Sequence, residues 1–183
     1  MSDPSSRERA LQTQAFDEWP PALRALFDGT GLAGKEGFTA SLAVADADAS
    51  VRTSLLSIGE LYAPDSRSVA FALWPTSRAA RMLDSAARLG RARAALTFVH
   101  EGAFYQVQLR VDALGDRGTL AGFIASIDAA DCQQVRYATL TSGIAFALPQ
   151  EQRPAVIDRW CEQIDCLRRA VAARSQAGGA GSR

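Results

Sequence analysis

The chain has 183 residues, of which 48% are hydrophobic and 22% charged. This is the balance of one folded domain and excludes a disordered or fibrous chain. Twenty basic and twenty acidic side chains cancel to a formal net charge of +0, so no overall field holds the protein on nucleic acid or on an anionic membrane. No apolar run approaches the ~20 residues that span a bilayer, and the first residues, MSDPSSRERALQTQ, carry charges where a signal peptide has its apolar core. The expectation is a cytoplasmic protein with neither a membrane nor a nucleic-acid partner. Cys132, Cys161 and Cys166 are odd in number and lack C-x-x-C or zinc-finger spacing, which argues for reduced, packed thiols and against a structural metal.

In chain order, residues 1–30 read as a polar tail and a short helix. Pro20 and Pro21 suit a first helical turn, Leu23, Leu26 and Phe27 share a face, and Gly29 and Gly31 end it. Phe38, Ala40, Leu42 and Val44 alternate with smaller or polar residues, 46–50 reads as a turn, and VRTSLLSI (51–58) is a second strand, which together predict a hairpin. SVAFALW (68–74) is a third strand, stopped at Pro75 because proline cannot donate to a ladder. The period then changes to about 3.6, with Ala79, Met82, Leu83, Ala86 and Leu89 along one face, Thr76 or Ser77 as N-cap and Gly90 past the end.

RARAALTFV (91–99) and FYQVQLRVDAL (104–114) flank a glycine-containing loop of hairpin length, and a further strand follows residues 115–118. Residues 128–143 suit a strand or a poor helix equally well, and GIAFAL (143–148) reads as a strand. Pro154 opens a helix whose Val156, Trp160, Ile164, Leu167 and Val171 recur at three and four residues, and 176–183 reads as a disordered tail. Strands this closely spaced leave no room for repeated crossover helices, so the fold class is mainly β, an antiparallel barrel or sandwich with peripheral helices. The domain is a single one, residues 31–175.

His100 is the sole histidine and sits in the hairpin loop beside Glu101, too little for a Ser-His-Asp triad or a histidine-rich zinc site. The glycines form neither G-x-G-x-x-G after a strand nor a P-loop. A different anion cradle is visible at Trp74-Pro-Thr-Ser-Arg, where a strand runs directly into a helix start. Such an end offers unpaired backbone N–H groups and the positive pole of the helix dipole, to which Thr76, Ser77 and Arg78 add side-chain donors. Arg52 adds a second guanidinium on a strand rich in hydroxyls, Thr53, Ser54 and Ser57.

The succession VRTSLLSIGELYA, SVAFALWPTSRAARML and RARAALTFVHEGAFYQVQLRVDAL resembles the pyridoxamine 5'-phosphate oxidase-like superfamily of FMN-binding split-barrel proteins. The resemblance covers roughly residues 38–114. It implies a split β-barrel that dimerises with itself and holds two cofactors between subunits. By position it implies that Arg52 pairs with the FMN phosphate and that Ser77 and Arg78 complete that pocket. Thr53, Ser54 and Leu55 would run alongside the flavin with backbone groups facing it, Leu73 and Trp74 would stand where a strand passes the ring, and Gln106 would reach the flavin.

The chain departs from true pyridoxamine phosphate oxidases at Ser57 and Ala79, where they carry lysines. It also lacks their closing R-L-H-D-R segment, since His100 is its only histidine. The expectation is therefore an FMN-dependent oxidoreductase with another substrate, catalytic residues unknown. Haem or a deazaflavin as the ligand, a non-catalytic sensing or storage role, and a ligand-free dimeric domain stand as the alternatives.

Overall fold

The computed structural model describes residues 11–45, 50–116 and 119–180. The described residues form eight strands and three α-helices: β1 (Leu11–Phe16), α1 (Pro21–Leu26), β2 (Thr39–Ala45), β3 (Val51–Ser57), β4 (Leu61–Tyr62), β5 (Ser68–Leu73), α2 (Arg78–Ala87), β6 (Arg93–His100), β7 (Ala103–Asp116), β8 (Ala121–Val135) and α3 (Arg153–Ala180). All strands belong to one antiparallel sheet of order β3-β2-β6-β7-β8-β5-β4, with β1 also on β8. The sheet curls into a half-barrel, and the fold is mainly β with peripheral helices, as the spacing of the strands led one to expect.

The hairpins follow from local chemistry. β6 and β7 join through Glu101 and Gly102, whose φ angles of 48° and 77° are the two positive values that a tight hairpin turn requires. β7 and β8 run 14 and 15 residues and pair along almost their whole length, with register shifts at Gln108/Leu109 and Ala113/Gly115. Such irregularities let long strands bend and so help the sheet to curl. The far edge of β8 is shared: β5 pairs with Ala121–Ser126 and β1 with Ala130–Val135. Alternation puts Ala40, Leu42 and Val44 of β2 in the core, where Phe27 meets Phe38 and Phe98 at 5.6 and 5.4 Å between ring centres.

Ser77 caps α2 by accepting from the Ala80 N–H at 3.1 Å, and Ala79, Ala80 and Leu83 of that helix join the core. α3 buries Trp160, Ile164, Leu167 and Ala170, a single stripe at helical spacing. Trp160 fits over the buried turn at Gly59, where there is no room for a β-carbon.

Several elements differ from the sequence expectation. Residues 11–16, read as part of a polar tail, are a strand. Their side chains are mostly exposed, so they join the sheet through backbone pairing and carry no hydrophobic alternation to announce it; residues 1–10 lie outside the described residues, as does most of the turn expected at 46–50. The ambiguous stretch from 128 resolves as the second half of β8 up to Val135. GIAFAL is not a strand. It runs instead as a strap back to the start of β2, its amide at Leu148 donating to Glu36 Oε1 at 3.3 Å. Of the apolar residues that suggested a strand, Phe146 and Leu148 pack on the core, Phe146 lying edge-on to Trp160 at 6.0 Å, while Ile144 is exposed. Leu89 falls beyond the end of α2 and is exposed. α3 continues through 176–180 of the expected tail, and 181–183 lie outside the described residues.

Candidate functional site

β3 is the terminal strand of the sheet. Among the described residues it pairs only with β2, from Thr39 opposite Ser57 to Ala45 opposite Val51, so its other side presents a row of backbone N–H and C=O groups that no described strand meets. Residues directly opposite each other share a face. Arg52 and Ser54 therefore lie with the buried Val44 and Leu42 on the inner face, the one α2 packs against. Thr53 and Leu55 lie on the other. The hydroxyl-rich run of β3 is thus divided between two faces that meet at one open edge.

Gln106 belongs to the outer face. Leu55 stands opposite Ser41, Ser41 opposite Thr97, Thr97 opposite Gln106, and Gln106 opposite Asp131. Two residues far apart in sequence, Leu55 and Gln106, thereby fall on one transverse row. Its intervening members, Ser41 and Thr97, are small, polar and half-buried, so the row leaves a shallow hydrogen-bonding shelf above the sheet. Neither residue was singled out from the sequence, because a lone Ser or Thr in an alternating strand carries no signal until the register is known. Asp131 is held by the Gln133 amide, Nε2 to Oδ1 2.6 Å.

At the strand-to-helix junction, Ser77 closes a turn on the Trp74 carbonyl at 2.9 Å and uses its Oγ as the cap acceptor. Its O–H proton can still be donated. Arg78 is exposed on the first helical turn, and Arg81 folds back onto the Thr76 carbonyl at 3.0 Å, adding a guanidinium to this positive helix end. Leu73 is buried, so its side chain belongs to the core, whereas Trp74 is 55% exposed. At the far end of β3, the Ser57 hydroxyl and amide are both taken by Glu60 Oε2, at 2.9 and 2.7 Å. That end carries an anion of its own and repels phosphate.

Beneath the shelf, Tyr105 faces inward. Burial, and then its hydrogen bond and charge coupling with the opposing Cys132, push its phenol up to about 12. Phe98 stacks on it at 5.0 Å. The row that carries Gln106 therefore rests on a neutral, packed aromatic layer.

No family model matches the sequence, and no curated protein matches it. Solved structures do. The chain is similar in shape to the pyridoxamine 5'-phosphate oxidase-like split-barrel proteins. A candidate pyridoxamine 5'-phosphate oxidase from Lactobacillus delbrueckii shares 12% identity, covering 63% of this chain and 94% of that one with a TM-score of 0.47. HupZ of Group A Streptococcus shares 11%, covering 70% and 99% at 0.44. The styrene monooxygenase flavin reductase of Pseudomonas putida S12 shares 13%, covering 62% and 93% at 0.41. The likeness is one of shape alone. Among the described residues no helix is long and apolar enough to cross a membrane.

Proposed function

We propose that the chain is an FMN-dependent oxidoreductase whose cofactor lies along the open edge of β3. The observation that carries this reading is the division of β3 between two faces at a free edge. A phosphate on the inner side would meet Arg52 and the cationic start of α2, Ser77 and Arg78. A ring turned across the edge would meet the unpaired backbone of residues 53–55 and then the shelf that ends at Gln106. A dianionic phosphate suits paired guanidinium groups and a helix N-terminus, so the donor set fits this group.

Ser57 and Ala79, which stand where lysines hold phosphate in true pyridoxamine phosphate oxidases, give no help here. Ser57 is occupied by Glu60, and Ala79 is buried in the core. The phosphate grip therefore rests on arginines and backbone. When bound, FMN supplies hydride or electron transfer. The protein's part is to clamp the phosphate, orient the ring through backbone groups and Gln106, and shield one face of it. The exposed apolar side chains of β3, Val51 and Leu55 at 62% and 54%, and Trp74 before α2 at 55%, are what a second copy would cover, so the working unit is proposed to be a cytoplasmic homodimer that completes the shield.

The test is an ultraviolet-visible spectrum of the purified protein after incubation with FMN and desalting, followed by addition of NADPH. Retained flavin bands that bleach support the enzyme. Retained bands that do not bleach with NADPH or other donors indicate a carrier. A colourless protein refutes a flavin role.

A further inference from the structure

Away from the β3 edge, α3 crosses β5 and β8 and leaves a cavity of about 250 Å3. Its cause is local. Ala72 and Gly122 are cross-strand partners, and Ala170 faces them from the helix, so three small residues meet where a helix crosses a sheet. Interiors otherwise close-pack and leave few voids larger than a water molecule. The remaining wall is largely apolar, supplied by Leu120 and Leu167, with Thr119 and Gln163 as its neutral polar members and the buried Gln163 Oε1 as an acceptor without a partner.

Two features define what fits. An apolar cavity of roughly 150 Å3 admits a benzene ring, so this one is of bicyclic size. The two charges of the lining, Arg159 and Glu162, are opposite in sign and three residues apart on one helix face, so the lining itself carries no net charge. On the wall stands Cys166, half-buried, with its sulfur accepting a hydrogen bond from Arg169 Nη2 at 3.1 Å. None of these residues belongs to the proposed flavin site.

We propose that this cavity binds a small, uncharged, mainly apolar molecule the size of a bicyclic aromatic, in contact with Cys166. Because helix and sheet both form its walls, an occupant ties α3 to the sheet and raises thermal stability by mass action.

Indole serves as the probe and indole-3-carboxylate as its charged counterpart. At ten times its Kd, indole should raise Tm by about 3 to 6 °C. Site-resolved alkylation with iodoacetamide supplies a second reading: indole should slow Cys166 at least fivefold and leave the exposed Cys161 unchanged. Ala170→Leu, which fills the space, should abolish both effects. The absence of a Tm rise in the wild type, equal slowing at both cysteines, or effects that survive in Ala170→Leu would each overturn the proposal, and equal or tighter binding of the carboxylate would overturn the uncharged class. Should Ala170→Leu fail to fold, the alkylation of the wild type decides.

Discussion

Gly59→Ala is the sharpest single test of how α3 is seated. Gly59 lies buried in the 3-10 turn between β3 and β4, and a β-carbon built on it overlaps Cγ and Cδ1 of Trp160 and comes within 2.5 Å of Cβ. The indole cannot step aside easily, being itself buried and held against Phe146. Overpacking of this kind costs about 1 to 3 kcal/mol, and a rigid ring puts the site at the upper end. Against it, Gly59 does not have a positive φ, so alanine recovers about 0.4 to 1 kcal/mol by restricting the unfolded chain. The net is a loss of about 2 kcal/mol, or about 4 to 8 °C in Tm for a chain of this length. In a Trp160→Gly background, which removes the Cβ as well as the ring, the clash is gone, and Gly59→Ala should be neutral or slightly stabilising. A double-mutant cycle by urea unfolding should therefore give a coupling of about 2 kcal/mol. A single substitution without effect on Tm, or equal losses in both backgrounds, would refute the seating of Trp160 on this turn.

Four further outcomes are expected. Arg52→Ala should weaken FMN by about 1.5 to 3 kcal/mol, the worth of a charged hydrogen bond, and unchanged affinity in a flavin fluorescence titration would remove Arg52 from the site. Leu55→Glu places a charge on the exposed apolar patch and should convert the proposed dimer to monomer in sedimentation experiments; a dimer that persists would put the interface elsewhere. Tyr105 has its phenol raised from 10.0 to about 12 in the fold, so its contribution to stability is complete below pH 10 and is lost as pH rises towards 12. Tyr105→Phe should flatten that part of the pH profile of the urea midpoint, and an unaltered slope would argue against burial of the phenol. Glu36 holds the strap through the Leu148 amide and Arg153 Nε at 2.6 Å. Glu36→Gln should speed hydrogen exchange across 141–148, whereas unchanged exchange would show that packing of Phe146 alone secures it.

The sequence by itself determined the strands whose burial is one-sided, because a period of two along β2 or β6 reports which face meets the core. It determined α2 through the change of period after Pro75, with a cap at Thr76 or Ser77, and a glycine-containing hairpin loop over 100–103, all of which depend on neighbours a few residues away; the structure assigned the cap to Ser77 and the turn to Glu101 and Gly102. It also singled out Arg52, Ser77, Arg78 and Gln106 as the residues to examine. Tertiary structure alone decided how these are shared out. Only the register shows that Arg52 and Ser54 share the face of Val44 and Leu42 and that Leu55 and Gln106 fall on one row through Ser41 and Thr97, and only the packing shows that the Leu73 side chain is spent in the core. It also decided the fate of two segments whose local signals mislead. Leu11–Phe16 joins the sheet by backbone hydrogen bonds that no side-chain pattern records. GIAFAL has the composition of a strand but pairs with none of the described strands, and pairing is a property of two segments that neither one encodes alone.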